Sequence, residues 1–176
     1  HGQAWKDTAA LFDLYLTHEQ LKLLRGKRRI DCANELVKLI PKTVKAKDLL
    51  NLHRPISRKL ILTAKAMKGG ESLVNRCHEN NIPMALVTSS SSESFQIKTA
   101  SHRWMNLFSA IVLGDDKLLA QGKPAPDPYL LAAEKLKLDP RECWAVEDSI
   151  SGVSSALEAG CFVFFLKDKR DELPKK

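Results

Sequence analysis

The chain has 176 residues, 44% of them hydrophobic and 28% charged, enough for one large domain or two small ones with a proper core. No apolar run reaches the ~18 residues that a membrane helix needs, and the start HGQAWKDTAA is neither a signal nor a transit peptide, so no membrane partner is expected; the scattered cysteines predict a cytoplasmic or other reducing soluble compartment. The net charge is +7, but the basic runs RGKRRI and KTVKAK lack interleaved aromatic residues, so they read as solvated faces or as attraction for a small anion, not as a nucleic-acid surface.

The first third is helical in pattern. Trp5, Ala9, Phe12 and Leu16 recur at helical spacing and predict a helix over Gln3–Leu16. A short second helix, HEQLKLLRG, is stopped by its Gly26. A third, DCANELVKLI, starts at Asp31 as its cap and ends before Pro41. Asp48–Met67 reads as one or two helices, with Pro55 marking a break or kink. Helices with one apolar stripe each predict a bundle over residues 1–67.

From residue 68 onward the period changes. An amphipathic helix at GGESLVNRCHENN leads to the apolar run IPMALV, then a helix, the run FSAIVL, a helix capped by Asp127, the run ECWAV, a helix ended by Gly160, and the final run CFVFFL. Short apolar runs alternating with helices predict an α/β domain over 68–176, a parallel sheet with helices on both faces in a three-layer, Rossmann-like arrangement. Cys32, Cys77, Cys143 and Cys161 form no C-x-x-C pair, so all four are expected to be reduced thiols and not metal ligands.

Ligands of such sheets bind beyond the carboxyl ends of the strands. The polar residues that follow each run are Thr88, Ser89, Ser90, Ser91 and Ser92, then Asp115, Asp116 and Lys123, then Glu147, Asp148 and Ser149. Thr88 and the serines can cap the next helix or hold phosphate oxygens with the backbone N–H groups behind them. Lys123, stiffened between Gly122 and Pro124, is either a loop lysine or a fixed ammonium for a transferring phosphoryl group. Adjacent carboxylates at the end of a buried run repel. Glu147 and Asp148 either sit in a first helical turn or face a hard divalent cation such as Mg²⁺. Together, the hydroxyl, the lysine and the acidic pair point to one phosphate-plus-magnesium site.

In this order the strings ALVTSS, GKPAPDPYL and VEDSISGV resemble the second, third and fourth motifs of the haloacid dehalogenase superfamily of phosphotransferases. Within it the chain is most similar to the β-phosphoglucomutase-like branch, which carries a helical cap. The resemblance implies Thr88 as the phosphate-binding hydroxyl, with Ser89 and Ser90 beside it. It implies Lys123 as the motif lysine, Asp148 as a direct Mg²⁺ ligand, and Glu147 as a ligand or its neighbour. HGQAW resembles the hinge-side cap segment at His1, and LRGKRR a cap loop in which Arg29 meets the far phosphate of a sugar phosphate. The first motif, an apolar strand ending in D-x-D-G-T that carries the nucleophile, is not in the sequence. The resemblance places that strand centrally, between the strands ending at Thr88 and Glu147. The chain is therefore expected to lack an N-terminal portion of its parent.

The expected activity of the intact protein is phosphatase action on a small phosphomonoester, a sugar phosphate or phosphoglycolate, by a monomer or weak dimer. The alternatives are a sugar-phosphate mutase, and a phosphate-binding module without turnover should no upstream D-x-D exist.

Overall fold

The computed structural model describes residues 2–62 and 66–166; His1 lies outside them. Four helices come first: α1 (Gly2–Ala10), α2 (His18–Leu24), α3 (Arg29–Val37) and α4 (Ala46–Ile61). Then follow α5 (Gly70–Glu79), β1 (Ala85–Val87), α6 (Ser92–Thr99), β2 (Ala110–Val112), α7 (Asp127–Leu136), β3 (Trp144–Glu147), α8 (Ile150–Glu158) and β4 (Phe162–Phe165). The α/β class expected from the sequence is borne out.

Apolar stripes assemble the helical segment. Trp5, Leu24, Cys32, Ala33, Leu36, Ile40 and Leu49 form one buried cluster. Each fully buried leucine there, Leu36 and Leu49, contributes about 1.5–3 kcal/mol of transfer free energy. Burial pushes the Cys32 thiol up to about 12, so it stays protonated.

Several boundaries differ from expectation for identifiable reasons. α1 stops at Ala10 and not at Leu16, because Asp13 turns the chain at φ 59° while Leu14 N–H bonds back to the Ala9 carbonyl. Phe12 and Leu16 of the predicted stripe still pack on the cluster, with Leu14, although they lie past the end of the helix. α2 begins with a reciprocal capping box between Thr17 and Gln20. α3 begins before Asp31, which sits in its first turn and accepts from Arg28 Nε at 2.8 Å. Pro55 does not interrupt α4: it and Asn51, whose carbonyl loses a donor, both lie on the solvent face. Asp127 is the first helical residue of α7 and not its cap; its carboxylate accepts instead from Gln121 N–H at 3.1 Å. A 3₁₀ turn, Arg103–Leu107, precedes β2 where no element was expected.

The strands form two parallel pairs. β1 pairs with β2 (Ala85 with Ala110, Val87 with Val112), and β3 with β4 (Trp144 with Phe162, Glu147 with Phe165). Among the described residues no ladder joins β1 to β3. α7 packs against β1 and β2, and α8 against β3 and β4. The β3–β4 pair buries Ala145 and Glu147 while Trp144, Val146, Phe162 and Phe164 stay exposed on the other side. No helix among the described residues is long and apolar enough to cross a membrane.

One buried group in the helical segment titrates abnormally. His53 is fully buried, stacked on Trp5 at 3.8 Å, and neither ring nitrogen has a hydrogen-bond partner among the described residues. Burial, reinforced by the nearby Arg29 charge, lowers its pKa from 6.5 to about 4. The unfolded chain takes up this proton from about pH 6.5 downward, and the folded chain resists it. Stability is therefore expected to be full above pH 6.5 and to decline as the pH falls toward 4. Urea titrations of His53→Phe, which keeps the stack, should show a flatter decline over that window; an identical decline would assign it to other groups.

Candidate active site at the carboxyl ends of the strands

The loop after β1 starts the site. Thr88 N–H bonds to the Val112 carbonyl, which fixes the end of β1 beside that of β2. Thr88 Oγ1 accepts from Ser90 N–H at 3.2 Å. The capping role falls to Ser91, which accepts from Ser94 N–H at the start of α6. Thr88 and Ser90 are thereby left at a turn and not in a helix. Asp115, after β2, accepts from the Ser92 backbone and hydroxyl at 2.9–3.0 Å and so ties the second loop to the first. Asp116 pairs with Lys135 at 2.7 Å, and that hydrogen bond holds its carboxyl below the ordinary carboxylate value. Neither aspartate faces the cavity described below.

Lys123 reaches across the gap between the strand pairs. Its Nζ donates to the Val87 carbonyl at the end of β1 (3.2 Å) and to Glu147 Oε1 at the end of β3. Both side chains are nearly buried, 5% and 7% exposed, so each depends on the other for its charge. Tyr129, on α7, donates its O–H to the same Glu147 oxygen at 2.5 Å, and its ring lies 5.1 Å from the ammonium. Ser149 donates to Glu147 Oε2 at 3.2 Å while capping α8 through Gly152 N–H. A Cβ at Gly152 would overlap the Glu147 carboxylate; glycine there is what admits it.

The neighbouring Asp148 points the other way. It is half exposed, and its Oδ2 accepts from Arg25 Nη2 at 3.1 Å. The repulsion between adjacent carboxylates is thus relieved by two cations of the chain itself, Lys123 for Glu147 and Arg25 for Asp148.

Arg25 belongs to a loop between α2 and α3 that sits directly on the strand ends. Ser89 Oγ donates to the Gly26 carbonyl at 2.6 Å, and Ser151 Oγ to the Arg25 carbonyl at 2.9 Å. Gly26 has φ 81°, and a Cβ there would collide with the hydroxyls of Ser149 and Ser151. Arg29, at the start of α3, donates to Ser91 Oγ. Lys98, on α6, donates to Ser90 Oγ at 2.8 Å, and burial followed by the Arg29 charge lowers its pKa.

A cavity of about 940 Å³ lies between the two segments. Thr88, Ser89, Ser90, Lys123, Glu147 and Asp148 all line it, as does Arg29. Of the sequence-predicted site residues, only His1 falls outside the described structure. Lys22, Arg25, Lys27 and Lys98 line it as well, so the wall is strongly basic despite its two carboxylates. Arg25, Gly26, Lys98, Tyr129 and Gly152 were not expected at the site from the sequence. Arg25 and Gly26 had one usable signal, a glycine inside a basic run. Tyr129 had another, six residues beyond Lys123 in the same stiff string.

Known proteins resemble this arrangement. The chain is 40% identical over 115 residues to a probable pseudouridine-5'-phosphatase of Drosophila melanogaster, covering 63% of this chain and 50% of that protein. It is 33% identical over 153 residues to (DL)-glycerol-3-phosphatase 2 of Arabidopsis thaliana, covering 84% and 64%. The chain therefore spans half to just under two thirds of the length of these relatives. The crystal structure of a β-phosphoglucomutase from Clostridium difficile superposes with a TM-score of 0.80 at 20% identity, covering 92% of this chain and 74% of that one, a likeness of fold. The family model for haloacid dehalogenase-like hydrolases matches residues 3–166, and with the three motifs gathered on one cavity the chain belongs to that family.

Proposed function

We propose that this chain supplies the cap and most of the catalytic core of a phosphatase that acts on a small phosphomonoester. The observation that carries the reading is Lys123, a nearly buried ammonium that joins the ends of β1 and β3 at the wall of a basic cavity. A lysine has three donors. Among the described residues, Val87 and Glu147 take two of them, which leaves one for a phosphoryl oxygen. The names of the relatives quoted above, which are phosphatases, point the same way.

In this reading the Thr88 hydroxyl and the backbone that follows orient the phosphate, with Ser89 and Ser90 beside it, and Lys123 neutralises charge on the transferring group. The nucleophile is an aspartate on a strand that precedes residue 1 and lies between β1 and β3. Its carboxylate attacks phosphorus, the alcohol leaves, and water hydrolyses the aspartyl-phosphate to release inorganic phosphate. The unjoined strand pairs support a strand at that place.

The residues fit a magnesium ion through Asp148. It is a half-exposed carboxylate on the cavity wall, and no group of three His, Cys, Asp or Glu able to hold a metal occurs among the described residues. That donor set suits an ion that retains water and phosphate oxygens. Magnesium would supply stabilisation of phosphoryl charge. Glu147, with both oxygens already engaged, serves instead to hold Lys123. Residues 1–67 act as the cap, and the Arg25–Gly26 loop excludes water from the site. The same parts suit a mutase, in which a sugar hydroxyl and not water receives the phosphoryl group; the phosphatase names of the relatives favour hydrolysis.

Three outcomes are expected of the full-length protein. Lys123→Ala should lower p-nitrophenyl phosphate turnover at least ~10³-fold. It should also cost about 3–5 kcal/mol of stability by stranding Glu147, so activity must be read where circular dichroism shows the native state; near-normal turnover would end the phosphoryl-transfer reading. Asp148→Asn should shift the Mg²⁺ titration of activity to concentrations roughly tenfold higher or more, and an unchanged titration would remove Asp148 from the metal site. Gly26→Ala should lower kcat/KM about tenfold by lifting the cap loop off Ser149 and Ser151, at a backbone cost near 1 kcal/mol; wild-type kinetics would show that the loop contact is dispensable.

A further inference from the structure

Tyr129 is a buried tyrosine on α7, and the reaction above gives it no task. It is 9% exposed and packs among Ala145, Ala156, Ala159 and Cys161. Its O–H does not go to backbone or solvent. It goes to Glu147 Oε1, the oxygen that also accepts from Lys123. Burial, followed by the Glu147 charge, drives the phenol pKa upward, so the group remains a donor. The face of its ring lies 5.1 Å from the Lys123 ammonium.

We infer that Tyr129 is a positioning residue for Lys123. One side chain fixes the lysine in two ways: the O–H pins the oxygen to which the ammonium is bound, and the ring gives the charge a favourable surface in place of water. Lys123 has a long, flexible stem and no fork geometry of its own. Its ammonium is placed by partners or not at all. Ser149 and Gly152 complete the clamp from the α8 side, one by bonding Glu147 Oε2 and the other by leaving room for the carboxylate. Tyr129 does not itself line the cavity, so it acts only through Glu147 and Lys123, which do.

The catalytic part of this inference rests on the phosphoryl-transfer reading; the placement of Lys123 does not. Tyr129→Phe keeps the ring and removes the O–H. Two measurements on the full-length protein separate the questions. The first is mass-spectrometric labelling of lysines with acetic anhydride. Lys123 is protected in the wild type, and in Tyr129→Phe it should label at least threefold faster relative to the exposed Lys38 and Lys42 of the same sample. An unchanged ratio overturns the inference whether or not the protein turns over any substrate. The second is steady-state hydrolysis of p-nitrophenyl phosphate. The variant should lose about tenfold in kcat with KM changed less than twofold, because a misplaced ammonium costs the transition state more than the ground state. Equal losses through KM alone, or wild-type kcat, also overturn it. Should the wild type show no hydrolysis while labelling behaves as expected, the proposed activity fails and the positioning role stands. Tyr129→Leu, lacking both ring and O–H, should label faster still; a Leu variant that labels more slowly than the Phe variant contradicts the role given to the ring.

Discussion

The Lys123–Glu147 pair is the constraint on which the rest of this molecule turns. Two strand pairs that share no ladder end on opposite sides of one ammonium, with the Val87 carbonyl on one side and the Glu147 carboxylate on the other. Neither charge is tolerable alone at this burial. Everything around the pair serves to complete it: Tyr129 and Ser149 take up the remaining carboxylate capacity, and Gly152 gives up its side chain to make space. A buried ion pair of this kind is a weak device for stability and a strong one for geometry, since its partners tolerate few alternative positions.

The adjacent residue shows how differently two neighbouring carboxylates can be used. Alternation along β3 turns Glu147 inward, and Asp148, just past the strand, stays half exposed. One step along the chain separates a group that anchors a lysine from one that meets the guanidinium of Arg25. The strand end thereby keeps two negative charges close together without letting them share a partner.

Among the described residues, polar groups of the helical and α/β segments bond to one another at several points. The carbonyls of Arg25 and Gly26 accept from Ser151 and Ser89, and Arg29 and Arg25 reach Ser91 and Asp148. Such bonds exchange readily with water, each worth about 1 kcal/mol net. Gly26, with no side chain, sets how close the two sides come.

Much of this could be read from the order of residues. Period and punctuation were enough for the helical segment, the change of architecture near Gly69, the four apolar runs and the parallel α/β class. The three strings around Thr88, Lys123 and Asp148 pointed to one cavity, because loops at the same ends of parallel strands must converge. What the chain order could not decide was pairing. That Glu147 would spend its carboxylate on Lys123 and Tyr129, that Asp148 would meet Arg25 from 123 residues away, and that Asp115 would fasten a loop and stay out of the cavity depend on contacts between segments distant in sequence. The ends of α1 and α3 were decided in the same way, by a left-handed Asp13 and by an Arg28–Asp31 bond that no periodicity records. Local pattern sets which residues can form an element; side chains brought together across the fold determine which charges meet, and those meetings make the site.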